Sequence, residues 1–219
     1  TYTNPLKAVE FFKKTGVDAL AISYGTMHGA SKGKDVKLRK QIPTAIRECL
    51  NHEGIRGGLV SHGSSTVPKY IVDEINALGG NIQNAYGISL AELKEAITCG
   101  INKINVDTDI RLAVTRNMKE LFAGCPELRE SPSIGGVYQL LENNKDQFDP
   151  RVFLPPVMDT VMYGNIPAGD VARLMECVEK GVKEAVGTLI VQFGAYGKAP
   201  LVKRPHLAER KAYYKNEGH

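Results

Sequence analysis

Hydrophobic positions along this chain alternate between short apolar runs and stretches with helical spacing. The apolar runs cover residues 17–23, 57–61 and 101–106, and their length and composition are typical of buried parallel strands. Apolar residues at helical spacing lie between and around these runs, over residues 5–15, 43–50, 68–78, 90–99 and 110–122. The alternation of strand, loop and helix, repeated three times, predicts an α/β fold with a parallel sheet.

The pattern changes after residue 123. Glycine and proline pairs interrupt residues 124–169, which show no strand pattern, and a long helix is predicted from residue 169 to 186. We therefore divide the chain into an α/β part, 1–123, and a helical extension, 124–219, that packs outside it. A homo-oligomer, dimer or tetramer, is expected to use this extension because it carries an apolar stripe of Val171, Leu174, Met175, Val178 and Val182.

Composition narrows the function classes. Hydrophobic residues make up 42% of the 219 positions, enough for a core, and the net charge is only +4. The basic residues are scattered without interleaved aromatics, so we expect no nucleic-acid partner. No apolar run approaches the roughly 20 residues of a membrane span, so no membrane partner is expected. Four widely spaced cysteines without a CxxC pair favour a reduced, cytoplasmic protein.

Two histidines follow predicted strands directly, each with a glycine behind it: His28-Gly29 and His62-Gly63. The carboxyl ends of parallel strands meet at one edge of the sheet, which is where α/β folds bind ligands. Neutral imidazoles suit Zn²⁺, and glycine permits both close backbone approach and unusual dihedral angles. Two polar histidines that merely cap strand ends are the alternative, but the repeated strand–His–Gly context favours a metal site.

Two loops have the character of phosphate-binding segments. Gly63-Ser64-Ser65-Thr66 precedes the helix predicted at residue 68, and Asn105-Val106-Asp107-Thr108 follows the third strand and precedes another helix. Small residues at a helix start expose backbone N–H groups, and the helix dipole favours anions there. Either loop alone would be weak evidence, because small polar residues cap many helices. Together, beside two metal-type histidines, they predict a phosphate cradle.

At these residues the chain resembles the class II fructose-bisphosphate aldolases. The likeness runs from about Thr1 to Val157. The matching stretches follow the family's order: residues 15–21, Gly25-Thr26-Met27-His28-Gly29 with Lys32, His62-Gly63-Ser64-Ser65, residues 103–109, and Asp149-Pro150-Arg151. The resemblance implies a (β/α)₈ TIM barrel, of which this chain would hold only about the last three β/α units, with strands resembling the sixth to eighth.

The resemblance also implies roles for individual residues. His28 and His62 would be two of three zinc ligands, and backbone carbonyls near them would hold a monovalent cation, Na⁺ or K⁺. Asn105 would act in catalysis, while the general acid and base would lie in an N-terminal half that is absent here. Substrate contacts would come from Gly29, Lys32, Gly63, Ser64, Ser65, Asn105, Val106, Asp107, Thr108 and Arg151.

The activity implied is the reversible zinc-dependent cleavage of fructose 1,6-bisphosphate to dihydroxyacetone phosphate and glyceraldehyde 3-phosphate, a step of glycolysis and gluconeogenesis. This lyase would be active only with the N-terminal half of the barrel as a partner. Tagatose or sedoheptulose bisphosphate as the substrate stays an alternative. A non-catalytic fragment that binds sugar phosphates or serves in assembly is the alternative from another class.

Overall fold

A computed structural model describes residues 2–29, 33–163, 167–202 and 207–216. In chain order its elements are α1 (Pro5–Thr15), β1 (Ala19–Ile22), α2 (Gln41–His52), β2 (Gly58–Ser61), α3 (Lys69–Ala77), α4 (Leu90–Thr98), β3 (Lys103–Ile104), α5 (Thr108–Gly124), a 3₁₀ helix (Pro126–Glu130), α6 (Gly135–Asn143), α7 (Pro150–Phe153), α8 (Pro155–Met162), α9 (Gly169–Gln192), a 3₁₀ turn (Ala199–Leu201) and α10 (Leu207–Asn216).

The strands form a parallel three-stranded sheet in the order β1-β2-β3. This confirms the predicted α/β alternation, with helices connecting successive strands. The third strand is shorter than the predicted residues 101–106. Backbone pairing nevertheless continues past both its ends, because the Asn102 N–H donates to the Leu59 carbonyl and the Asn105 N–H to the Ser61 carbonyl. All three strands therefore deliver their following loops to one edge of the sheet.

The first strand was predicted to be buried, and this prediction is wrong for half of its residues. Ala19 and Ala21 are exposed, whereas Ile22 is buried and Leu20 is half-buried. Side chains alternate between the two faces of a strand, so one face of β1 packs against helices and the other meets no cover within the described residues. Parallel sheets are normally covered on both faces. The sheet therefore has one packed face and one open face.

Three clusters of buried side chains hold the molecule together. The first joins the packed face of the sheet to α1, α2 and α4, with Phe12, Ile46 and Leu93 at its centre. The second is helical and joins α5 to α6, α7, α8 and α9. The third joins α3, α5 and α9. Because α5 contributes to the second and third clusters, it couples α3 to the helical extension.

The long helix α9 packs along α5 at a close distance. A side-chain Cβ at Gly181 would lie 2.9 Å from the Ala113 carbonyl oxygen, so the two backbones nearly touch there. The stripe that predicted an oligomer contact is largely used inside the chain, since Val171 and Leu174 are buried in the second cluster. Among the described helices, none has the length and apolar character that a membrane span needs.

Candidate functional site

A cleft of about 480 Å³ opens at the carboxyl edge of the sheet. It is formed where the loops after the three strands meet, as the positions of the two His-Gly pairs predicted. Its lining residues are His28, Gly29, His62, Gly63, Ser65, Lys103, Ile104, Asn105, Val106, Asp107 and Thr108. The structure thus brings most of the predicted site residues to one place. Lys32 lies outside the described residues.

The two histidines lie side by side at this cleft. His62 Nδ1 is 2.8 Å from His28 Nε2, and the ring centroids are 4.5 Å apart. Two nitrogens bound tetrahedrally to one zinc ion at about 2.0–2.1 Å would be about 3.3 Å apart. The observed distance between the nitrogens is slightly shorter, so the two rings would need to move apart only a little for both to bind the same ion. This donor pair therefore fits zinc. Within the described residues no group of three or more His, Cys, Asp or Glu side chains converges on one point.

The two positions after the histidines both favour glycine, but for reasons that differ in part. Gly63 has a φ of 67°, and a Cβ there would lie 2.9 Å from the Met27 carbonyl carbon and 3.1 Å from the His28 nitrogen. Gly29 has a φ of 93°, but a Cβ there would meet nothing within 4 Å. Both positions favour glycine because L side chains rarely adopt positive φ. Only Gly63 also lets the loops after β1 and β2 cross closely, which sets the histidines beside each other.

The two predicted phosphate-binding loops are hydrogen-bonded to each other. The Ser65 hydroxyl oxygen accepts hydrogen bonds from the backbone N–H groups of Asp107, at 3.1 Å, and Thr108, at 3.0 Å. These are the N–H groups that the sequence indicated for phosphate. A phosphate oxygen would therefore compete with the Ser65 hydroxyl for the same donors, rather than meet free N–H groups at this helix start.

Ser64 does not line the cleft, in contrast to its predicted contact with substrate. Its hydroxyl is buried and lies 2.6 Å from the Ser61 hydroxyl, which in turn hydrogen-bonds the buried Tyr24 hydroxyl. Burial raises the pKa of Tyr24 and keeps this phenol neutral. Ser64 therefore supports the loop from beneath, because the turn at Gly63 directs its side chain into the core.

Asn105 lines the cleft beside a lysine that sequence reasoning passed over. The Lys103 ammonium donates to the Asn105 side-chain oxygen. Because strand side chains alternate, residues two apart lie on one face, and Lys103 shares the open face of the sheet with Asn105. A charged side chain inside a predicted buried strand, two residues before Asn105, was the signal that could have identified it. Asn105 is thus held with its amide N–H₂ group free of that contact.

Arg151 is not among the residues that line the cleft. Its guanidinium pairs with Asp149, with Nη2 2.6 Å from a carboxylate oxygen, and its side chain is 77% exposed. Asp149 also caps α7 by accepting the Arg151 backbone N–H at 3.0 Å. The Asp149-Pro150-Arg151 motif therefore places Arg151 at the start of α7 and orients its side chain.

Arg111 connects that motif to the cleft, and the sequence analysis gave it no role. Its Nε lies 2.8 Å from Asp107 in the cleft, and its Nη1 donates to Asp149. Hydrogen bonds from Arg151 and then the charge of Arg111 lower the pKa of Asp149 to about 2. The spacing of Asp107 and Arg111, four residues apart at a helix start, was the available signal. Asp107, Arg111, Asp149 and Arg151 thus form one continuous chain of alternating charge.

Known proteins resemble this chain over most of its length. It is 36% identical over 210 residues to fructose-bisphosphate aldolase 2 of Cereibacter sphaeroides, covering 96% of this chain and 49% of that protein. It is 35% identical over 214 residues to fructose-bisphosphate aldolase of Giardia intestinalis, covering 97% of this chain and 53% of that protein. The chain therefore spans about half the length of the curated relatives it matches.

Solved structures and a family model agree with these relatives. The YdjI aldolase of Escherichia coli K12 superposes with a TM-score of 0.52 at 25% identity, covering 90% of this chain and 48% of that one. A fructose-bisphosphate aldolase of Campylobacter jejuni, 16% identical, shares the fold with a TM-score of 0.51 over 88% of this chain and 44% of that one. The model of the family described as fructose-bisphosphate aldolase class-II matches residues 1–198. Because this match covers most of the chain and the two relatives are more than 30% identical to it, the chain belongs to the class II fructose-bisphosphate aldolase family.

Proposed function

We propose that this chain supplies the C-terminal part of the active site of a zinc-dependent aldolase that cleaves fructose 1,6-bisphosphate to dihydroxyacetone phosphate and glyceraldehyde 3-phosphate. The observation that carries the proposal is the pair His28 and His62, with ring nitrogens 2.8 Å apart at the mouth of the cleft. The names of the relatives, which are fructose-bisphosphate aldolases, support the same substrate.

The three strands correspond in this proposal to the sixth, seventh and eighth strands of a (β/α)₈ barrel. Residues 1–123 form these units, and residues 124–219 form the helical extension outside them. The open face of the sheet and the coverage of only half of each relative support this division. The N-terminal half then provides the other strands, the third zinc ligand and the residues for proton transfer.

His28 and His62 would hold the zinc ion, and carbonyl groups near them a monovalent cation. Zinc, when bound, supplies a Lewis acid that polarises a carbonyl oxygen. The chain's own residues bind and orient the substrate around it. Asn105, fixed by Lys103, offers its amide N–H₂ group to a substrate hydroxyl or carbonyl oxygen. The N–H groups of Asp107 and Thr108 would form the cradle for one phosphate, once a phosphate oxygen replaces the Ser65 hydroxyl as their acceptor.

The second phosphate of the substrate would meet the arginine pair beside the cleft. Arg151 is exposed, and Arg111 extends from Asp107 in the cleft toward Asp149. Two guanidinium groups suit a phosphate because their planar donors match its oxygens. Arg151 would reach the phosphate only by exchanging its contact with Asp149, so substrate binding would reorganise this charged chain.

The extension would also contribute to a homo-oligomer, and the protein would reside in the cytoplasm. The stripe on α9 packs internally, but its C-terminal part still exposes Val186, Ile190 and Val191, which suits a contact with a second copy. The four cysteines are free thiols, which supports a reducing compartment.

The test is to assemble the chain with the N-terminal half of a class II aldolase and to measure zinc-dependent cleavage of fructose 1,6-bisphosphate. His28→Ala and His62→Ala should each abolish cleavage and lower zinc content. His52→Ala is the matched control, since His52 is exposed at the end of α2 and does not line the cleft. Binding of the sugar bisphosphate without cleavage would favour the non-catalytic alternative. Faster cleavage of tagatose or sedoheptulose bisphosphate would identify that sugar as the preferred substrate and would leave the proposed mechanism unchanged.

A further inference from the structure

A second, smaller cavity lies between α5, the 3₁₀ helix Pro126–Glu130 and α6, and it shares no lining residue with the cleft. Its volume is about 70 Å³, and Lys119, Arg129, Tyr138 and Glu142 are among its walls. One water needs about 10–15 Å³ on this measure, so the cavity has room for about five water-sized positions. A molecule of four or five heavy atoms would fill it.

Lys119 is the unusual group in this cavity. Its side chain is only 3% exposed, and its Nζ has no hydrogen-bond partner among the described residues. The nearest carboxylate oxygen, on Glu142, is 4.0 Å away, and the other oxygen of Glu142 lies 3.4 Å from the exposed Lys145. Burying an ammonium group without a hydrogen-bond partner is strongly unfavourable. Burial accordingly lowers the pKa of Lys119, and a bound anion would reverse this effect.

Arg129 contributes a second positive charge to the same walls. Its Nε donates to the Phe122 carbonyl at 3.0 Å, and its guanidinium carbon lies 5.3 Å from the centre of the Tyr138 ring. These contacts fix the plane of the guanidinium. Among the described residues, no carboxylate forms an ion pair with it. Glu142 is therefore the one carboxylate among the lining residues, and it is shared with Lys145.

We propose that this cavity binds a small oxyanion, a phosphate or a small carboxylate, between the Lys119 ammonium and the Arg129 guanidinium. A water molecule would satisfy one donor of Lys119 but would leave the excess positive charge uncompensated. An oxyanion supplies acceptors to both groups at once, and arginine favours such planar or multidentate partners. This site is additional to the proposed aldolase function, because its residues are not those of the cleft.

The experiment follows methyl NMR signals of leucine and valine while phosphate is added at constant ionic strength. It uses the whole chain, assembled with the N-terminal half where solubility requires it. Leu78 and Leu141 line the cavity and should shift with a saturating dependence on phosphate. Val106 lines the cleft and reports separately on phosphate bound there. Acetate, titrated in parallel, distinguishes a carboxylate site from a phosphate site by which anion binds more tightly.

Variants decide whether the shift belongs to this site. Lys119→Met should abolish the Leu141 response but keep that of Val106. It should fold, because it removes a buried charge that has no hydrogen-bond partner among the described residues, while Glu142 keeps its ion pair with Lys145. Arg129→Met should weaken binding by about tenfold or more. Lys183→Met is the matched control and should bind as the parent does, since Lys183 is exposed, pairs with Glu179 on α9 and does not line the cavity.

Any of three results would overturn the proposal. The first is the absence of a Leu141 shift with either anion, and the second is a Leu141 shift that persists unchanged in Lys119→Met. The third would come from Glu142→Gln. Glu142→Gln separates the site from a simple ion pair: it should strengthen phosphate binding by removing a repulsive charge. If Glu142→Gln leaves anion binding undetected and only lowers stability, Lys119 serves an ion pair with Glu142 only.

Discussion

Among single residues, Gly63 determines how closely the two histidine loops approach. We expect Gly63→Ala to lower the free energy of unfolding by roughly 1–3 kcal/mol, because it adds positive-φ strain and a Cβ placed 2.9 Å from the Met27 backbone. It should also weaken zinc binding in the assembled enzyme. Gly29→Ala is the control, since its Cβ would meet open space. Denaturation measures the free energy of unfolding of the two variants, and zinc titration measures their affinity for zinc. An equal loss of zinc affinity in Gly63→Ala and Gly29→Ala would contradict the role of the loop crossing.

In the proposed function, Asn105 orients the substrate. Asn105→Ala should lower kcat of the assembled enzyme by about 10²–10³, with a smaller change in KM, if its amide is aimed at charge that develops during cleavage. Because Lys103 bonds the Asn105 side chain, Lys103→Met should add little to the loss already caused by Asn105→Ala. Steady-state kinetics of the two single variants and the double variant provide the measurement. An effect confined to KM would mean that Asn105 contributes uniform binding only.

At the scale of elements, Asp149 couples α5 to α7 through Arg111. Its pKa in the folded chain is about 2, below its ordinary value of 3.8. The stabilisation is therefore fully present above about pH 4 and is lost as the pH falls through about 2. We expect Asp149→Asn to lower the free energy of unfolding at pH 7 by about 1–2 kcal/mol, less than the full shift implies because Arg151 is solvent-screened.

Urea denaturation across pH 2–7 tests this coupling. The difference between Asp149→Asn and the parent should shrink between pH 4 and pH 2. Asp146→Asn serves as the control, since Asp146 is exposed and has no ion pair among the described residues. A difference that stays constant with pH would show that Asp149 does not stabilise the fold through its charge, since asparagine caps a helix about as well as aspartate.

The packing of α9 on α5 predicts opposite effects for two glycines of one helix. Gly181→Ala should destabilise the chain, because its Cβ would lie 2.9 Å from backbone atoms of Ala113 and Val114. Gly187→Ala should stabilise it by up to about 1 kcal/mol, because Gly187 is exposed, its Cβ would meet nothing within 4 Å, and alanine is the better helix former. Thermal melts compare the two. Destabilisation by both would argue against close packing as the cause.

At the scale of the whole molecule, an open sheet face and an incomplete ligand set predict dependence on the N-terminal half. Residues 1–219 produced alone should lack zinc-dependent cleavage and should associate through exposed apolar surface and unpaired strand edges. Two histidines should also bind zinc more weakly than a closed three-ligand site. The measurements are a retro-aldol assay with added zinc and light scattering. Stable, monomeric and active protein would refute this architecture.

Local patterns predicted the elements well where local forces decide them. Helix α1 ends at Gly16 as predicted, because its φ of 64° suits glycine, and α5 contains the predicted 110–122. Helix α9 runs further than predicted, to Gln192, and Phe193 directly after it packs against the first cluster of buried side chains. The strand at 17–23 was predicted from apolar character alone, and its burial was overestimated because covering a face requires elements that pattern cannot supply.

The sequence by itself determined the order of strands and helices and placed the two His-Gly pairs after strands. A shared sheet edge for these pairs followed from the parallel topology. Only the tertiary structure decided which groups face each other. Ser65 bonds Thr108, 43 residues away, and Ser64 bonds inward to Ser61, because the crossing of loops at Gly63 directs each side chain. The spacing of residue types along the sequence determines the local backbone structure, whereas long-range contacts depend on how the loops pack in three dimensions.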